Sequence, residues 1–253
     1  MFEPAVVHAA GADAALLFVD TDHGYNLAAT PGAAWGVARW RGDALDWMAW
    51  DAAGRPTAFR YRFDWTSGVA QPALERLELP PPSDAAVGQR ALPATPMRIE
   101  GESLWPARAQ RAAWALPEHA SGTCASGGRW LRVRALPARS GVSVANAGGV
   151  EVTLPAPWLR GRRITPVLAL EHGSAAHIVV RERARQLASS PRLEAAGPQP
   201  GVQCLATEPM DIPMETTDLT LELQLASHSG DALIALDHVE IQAAAGVAQK
   251  ESR

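Results

Sequence analysis

The segment that most constrains the fold is Thr217 to Gln242. In Leu219-Thr220-Leu221-Glu222-Leu223-Gln224-Leu225 every second side chain is apolar, the pattern of a strand with one wet face and one buried face. Ser227-His228-Ser229-Gly230-Asp231 supplies the small and polar residues of a turn, and Ala232 to Ile241 returns as a second strand. Together they predict the closing hairpin of an antiparallel sandwich. On the alternation that sends Leu233, Ala235, Val239 and Ile241 inward, Asp237 also points inward. A buried carboxylate must be paired or hydrogen-bonded, so Asp237 reads first as an anchor for a neighbouring loop and second as a ligand contact.

Strand candidates precede this pair at close intervals: Met97 to Glu100, Arg111 to Leu116, Trp130 to Leu136, Val150 to Leu154, Ile164 to Leu170 and His177 to Arg183. Gly- and Pro-rich turns separate them, as in a sandwich or jelly roll. Upstream, Thr66 to Pro96 carries Pro72, Pro80, Pro81, Pro82, Pro93 and Pro96, which predicts an extended linker with at most a short helical piece around Ala73 to Leu77. The expected fold is all-β: a small β-rich subdomain over 1–66, a Pro-rich linker over 67–96, a jelly-roll β-sandwich over 97–245 and a disordered tail over 246–253. Within the first part, Leu16 to Val19, Trp35 to Trp40 and Thr57 to Phe63 read as strands. Asp43 to Asp51 fits helix and strand equally, because Leu45, Trp47, Met48 and Trp50 follow neither period.

Composition excludes several classes. A chain of 253 residues with 47% hydrophobic residues can bury a substantial core, and a net charge of -4 lacks the basic face that nucleic acid requires. Nucleic acid is therefore not an expected partner. Arginine supplies all the positive charge except Lys250, a bias expected of a GC-rich bacterial genome. No run reaches the roughly 18 to 20 apolar residues of a membrane-spanning helix. Met1-Phe2-Glu3-Pro4 lacks the basic and apolar segments of a secretory leader. The expectation is either a cytoplasmic chain or the extracytoplasmic part of a larger membrane or envelope protein. Cys124 and Cys204 match no metal or redox spacing; they read equally as a bridge between sheets in an oxidising compartment or as two buried thiols.

From about Met97 to Gln242 three features occur in order: Gly127-Gly128-Arg129-Trp130-Leu131-Arg132-Val133, the strand Leu219 to Leu225, and the closing Leu236-Asp237-His238-Val239-Glu240-Ile241. In this the chain resembles carbohydrate-binding modules and galactose-binding-like domains, although it lacks a calcium-binding loop near the start of the module. The resemblance implies a jelly roll and a carbohydrate ligand. Glycan binding needs aromatic faces beside hydrogen-bonding groups. Trp105, Trp114, Trp130 and Trp158 are the candidate platforms, with Arg132, Arg134 and Asp237 as polar partners. Trp158, between prolines in an expected loop, is the hardest of the four to assign to a core.

Asp20-Thr21-Asp22-His23-Gly24 is the densest cluster of potential metal ligands. It resembles the Thr-x-Asp-His-Gly motif of the alkaline phosphatase superfamily, which implies that Asp22 and His23 bind a catalytic metal. Carboxylate oxygen with imidazole nitrogen suits zinc or manganese, and the candidate ligand set is Asp20, Asp22 and His23, with His119, His172 or His177 to complete it in space. The departures are large: only nineteen residues precede Asp20, no Ser or Thr is among them, and the family's helical crossovers are not legible. Otherwise Asp and His cap a tight turn in which Gly24 takes a positive φ. No G-x-S-x-G, P-loop or G-x-G-x-x-G occurs, and Arg41-Gly42-Asp43 reads as an ordinary turn.

Three functions follow. The first is a non-catalytic glycan-binding or accessory module of a bacterial envelope or membrane-associated protein. The second is a metal-dependent hydrolase built on the Asp20 to Gly24 turn. The third is a structural or assembly module with no small-molecule ligand.

Overall fold

The computed structural model describes residues 2–20, 22–64, 71–79, 97–110, 113–120, 128–135, 148–196, 201–227 and 232–243. The chain divides into two compact units, Met1–Ala94 and Thr95–Arg253. The expected tail over 246–253 and most of the linker lie outside the described residues.

In the first unit the elements run α1 (Pro4–Ala9), β1 (Leu16–Val19), a 3-10 helix (Asp22–Ala29), β2 (Gly36–Arg39), α2 (Ala44–Ala52), β3 (Ala58–Asp64) and β4 (Gln71–Leu77). They form one sheet in the order β2-β1-β3-β4. β1 runs parallel to both its neighbours, with Leu17 opposite Val37 and Phe59, while β4 is antiparallel to β3. β1 is buried at every position, which is why it reads as an unbroken apolar run without alternation. One face packs Leu17, Val19 and Tyr61 with Phe2 and Val7; the other packs Leu16, Phe18 and Ala58 with Ala49 and Trp50 of α2.

Two expectations change here. The ambiguous segment Asp43 to Asp51 is helical: Asp43 is the N-cap, its side chain accepting the Leu45 N–H at 2.8 Å, and Asp46 completes a capping box. Asp46 also accepts the backbone N–H groups of Arg41, Gly42 and Asp43, so the Arg-Gly-Asp string is folded onto a carboxylate. α2 lies between the parallel strands β2 and β3, so a helical crossover exists where none was legible. Trp47, Met48, Ala44 and Asp46 are all buried, and burial on several sides erases the one-face period. The second change is β4, a strand inside the expected linker and not a helical piece at Ala73 to Leu77. β4 is an edge strand, and Pro72, opposite Phe63, is tolerated where no further strand needs its missing N–H.

The second unit is a β-sandwich in which every pairing is antiparallel. Its strands are β5 (Met97–Glu100), β6 (Arg108–Gln110), β7 (Ala113–His119), β8 (Arg129–Ala135), β9 (Gly149–Leu154), β10 (Arg162–Glu171), β11 (Ala175–Glu182), β12 (Arg185–Ser189), β13 (Leu193–Glu194), β14 (Val202–Ala206), β15 (Met210–Asp211), β16 (Leu219–Ser227) and β17 (Ile234–Ala243). A helical turn, α3 (Ala156–Leu159), follows β9, and a 3-10 turn, Gly101–Leu104, follows β5. One sheet has the order β14-β10-β17-β8-β7, with β15 on β10 and β5 on β17; the other has β12-β11-β16-β9-β6, with β13 on β11.

The last two strands are therefore not a hairpin. β16 pairs with β11 and β9, whereas β17 pairs with β10, β8 and β5 in the opposite sheet. Alternation reports one buried face, and the inner faces of both sheets of a sandwich satisfy it equally. A polar connection longer than a two-residue turn leaves the choice of partner open.

The alternation expected along β17 is also interrupted. Val167 pairs with His238 but Leu168 pairs with Leu236, which leaves Asp237 as the extra residue of a bulge. Leu236 and Ile241 consequently share a face, opposite Leu168 and Ile164, while Ala235 and Leu233 join Trp130 and Ala169 in a separate cluster. The 3-10 turn Gly101–Leu104 lies against this bulge. A Cβ at Gly101 would stand 2.0 Å from the Leu236 carbonyl oxygen, so the approach requires glycine.

Candidate functional site

Four of the seven glycan candidates meet on the β7–β8 pair. Antiparallel register sets Trp114 opposite Arg134, Leu116 opposite Arg132 and Glu118 opposite Trp130. Alternation sends Ala113, Ala115, Leu131 and Val133 into the core, which places those six side chains on the other face. There Glu118 divides its oxygens between two arginines. Arg132 Nη1 donates to Oε2 at 3.0 Å and Arg134 Nη2 to Oε1 at 2.8 Å. The Arg134 guanidinium stands 5.7 Å from the centre of the Trp114 ring, within cation–π range. Arg132, Glu118 and Arg134 expose 17%, 29% and 37% of their side chains, and Leu116 is exposed beside them. An indole, an apolar side chain and oriented guanidinium donors on one strand pair provide both stacking and hydrogen bonding.

Trp130 belongs to the core of this region instead. It is 1% exposed and packs with Ala169, Leu233 and Ala235, and among the described residues its indole N–H has no hydrogen-bond partner. Trp158 is corrected in the same sense: it lies on α3, not in an open loop, and is 7% exposed. Trp105 stands at the end of the 3-10 turn Gly101–Leu104 and is 48% exposed. Asp237 is fully buried, facing away from solvent as the sequence reading expected.

His238 Nδ1 lies 2.8 Å from Asp237 Oδ2 and its Nε2 lies 3.5 Å from Glu240. Burial of the ring acts to lower the His238 pKa. The hydrogen bond and charge of Asp237, with Glu240 and Glu100, outweigh it and hold the group above 6.5.

Glu118, which orients the arginines, was missed in the sequence. The signal was present as the period-2 string Trp114-x-Leu116-x-Glu118, which reads as one face once Arg111 to Leu116 is extended to the strand's observed end at His119.

The Asp20 to Gly24 turn follows β1. Both Asp20 oxygens are engaged by Arg60, through Nε at 3.0 Å and Nη2 at 3.2 Å. The same guanidinium stacks 5.0 Å from the Trp40 ring, and Trp40 meets Phe18 edge-on at 5.8 Å. Asp22 and His23 open the 3-10 helix Asp22–Ala29; Thr21 and the Asp22 and His23 side chains lie outside the described residues. Gly24 does not take a positive φ. It is required by space, since a Cβ there would meet the Val19 side chain at 2.5 Å. His119, His172 and His177 belong to the second unit. Among the described residues no group of three His, Cys, Asp or Glu side chains is placed to hold a metal ion.

Asp46 is a buried acid of the first unit. Burial raises its pKa to about 6, against the opposing hydrogen bonds from Gly42 and Arg41. Cys204 is disulfide-bonded and sits on β14 opposite Ala169; the one other cysteine of the sequence, Cys124, lies outside the described residues.

No protein-family model matches the sequence, and no curated protein does. Among solved structures the chain is similar to carbohydrate-binding modules. A xylan-binding domain of family 22 is 17% identical, with 57% of this chain and 92% of that chain covered and a TM-score of 0.38. A family 61 module in complex with β-1,4-galactotriose is 14% identical, with 55% and 88% covered and a TM-score of 0.34. A family 35 module from Clostridium thermocellum is 10% identical, with 58% and 98% covered and a TM-score of 0.33.

Proposed function

We propose that this chain is a non-catalytic glycan-binding module, and that the outer face of β7–β8 is where it meets the sugar. The observation that carries this reading is the convergence of Trp114, Arg134, Arg132, Glu118 and Leu116 on one partly exposed strand pair. A pyranose ring presents C–H groups on its faces and hydroxyls at its rim. An indole flanked by guanidinium groups offers an apolar platform for the first and donors for the second. Trp105, half exposed, is the second platform. The disulfide at Cys204 supports an oxidising setting outside the cytoplasm, in keeping with an accessory part of an envelope protein.

The test is retention on immobilised polysaccharides and an oligosaccharide array, comparing the native chain with Trp114→Ala and Trp105→Ala. Binding that is lost in Trp114→Ala, with the circular dichroism spectrum unchanged, supports the assignment. An array with no bound glycan rejects it in favour of an assembly module.

A further inference from the structure

We infer that the glycan recognised at this face is an acidic one, carrying a hexuronate carboxylate that pairs with Arg134 beside Trp114. The inference rests on the glycan-binding reading above and adds the ligand's charge. It follows from how the donors and acceptors of the face are committed.

Glu118 faces both arginines, and each of its oxygens already accepts from a guanidinium. A neutral sugar is usually gripped by carboxylate or amide oxygens that accept from its hydroxyls, and Glu118 has its strongest acceptor directions occupied. The donors are in surplus. Arg134 spends Nη2 on Glu118, its buried Nε has no partner among the described residues, and more than a third of its side chain is exposed. A guanidinium carries five N–H donors in a planar fork that matches a carboxylate two-to-two, and one bond to Glu118 uses a single tine of it. Two guanidiniums share the one Glu118 carboxylate, although the whole chain is acidic.

The first unit shows the same residue types with the surplus removed. There Arg60 and Asp20 form a closed one-to-one fork, both oxygens on one guanidinium, with Trp40 under it. Arg134 on Trp114 is that arrangement with the carboxylate partner only half supplied. A uronate carboxylate completes it, while the pyranose face lies on the indole.

Calorimetric titration of the full chain with oligogalacturonate, with a neutral xylo-oligosaccharide and with a sulfated heparin oligosaccharide tests this. The expected result is an affinity for oligogalacturonate about tenfold or more above the neutral sugar, falling severalfold between about 20 mM and about 300 mM salt. Arg134→Lys keeps the charge but loses the fork, and lowers uronate affinity by about tenfold while leaving the neutral sugar within about twofold. Glu118→Gln removes the competing anion and raises uronate affinity; circular dichroism confirms that each variant is folded. Equal or tighter binding of the neutral sugar overturns the acidic assignment and leaves glycan binding intact. Tighter binding of the sulfated oligosaccharide overturns the carboxylate. Binding of none of the three overturns both this inference and the proposed function.

Discussion

Each unit stacks an arginine on a tryptophan and pairs it with a carboxylate, but the two constellations are committed differently. In the first unit Arg60 takes both oxygens of Asp20 while lying on Trp40, which in turn meets Phe18. Donors and acceptors match within the group, and the stack continues into the core through Phe18. In the second unit Arg132 and Arg134 share Glu118, and Arg134 lies on Trp114 at a face where Leu116 is exposed. The comparison teaches that residue types do not identify a site. The stoichiometry of donors to acceptors, and whether the aromatic belongs to the core, separate an internal brace from a surface with unmet capacity.

If the first unit's acids serve the fold, their chemistry appears in stability and not in binding. The largest effect is at Asp46. With its folded pKa raised from 3.8 to about 6, the folded state keeps a proton that the unfolded chain has released. Stability therefore falls as pH rises from about 4 to about 6, by on the order of 3 kcal/mol, and is flat beyond. Asp46→Asn removes that slope, as urea denaturation across the window would show. Oligosaccharide affinity that followed the same slope would join the two units functionally and break the contrast.

Next in size are the two tryptophans. Trp40→Ala is expected to cost roughly 2 kcal/mol of stability by emptying the contact with Phe18, with glycan affinity unchanged. Trp114→Ala reverses the pattern, with affinity reduced about tenfold and a smaller loss of stability. The same profile for both variants in melting and binding would erase the distinction.

A smaller pH effect belongs to His238 in the sandwich. Its folded pKa is raised above 6.5, so its stabilising contribution is fully present below 6.5 and is lost as pH rises through the folded value. Hydrogen-exchange protection along β17, corrected for the intrinsic pH dependence of exchange, should fall as pH rises through the folded value, and His238→Gln should remove that fall. Protection of β17 that is constant from pH 6 to pH 9 would show that the Asp237 contact does not hold the bulge. The smallest effect is Asp20→Asn, a partly exposed pair worth less than about 1 kcal/mol, with no change in affinity for any glycan.

Much of this was legible in the linear pattern. The alternation of Leu219 to Leu225 located β16 because period 2 needs nothing beyond the strand itself. The candidates Trp114, Arg132 and Arg134 follow from residue chemistry alone, an aromatic face and hydrogen-bond donors. Asp237 was placed as a buried anchor, although the bulge that puts it there was not visible. The illegible features are those set by neighbours. α2 lost its helical period because several of its sides are buried. Pro72 was read as a breaker because an edge strand cannot be told from a central one. Trp158 and Trp130 looked like platforms because a tryptophan's exposure depends on what packs over it.

By itself the sequence determined several of the sandwich strands, among them β7, β8, β9, β10, β11 and β16, and which faces of the alternating ones are apolar. The tertiary structure alone decided that β16 and β17 lie in opposite sheets, that β2, β1 and β3 run parallel with α2 between two of them, and that Glu118 serves two arginines while Asp20 serves one. The physical reason is range. Side-chain alternation follows from the geometry of one strand, whereas sheet partners and shared acceptors depend on residues brought together from distant parts of the chain.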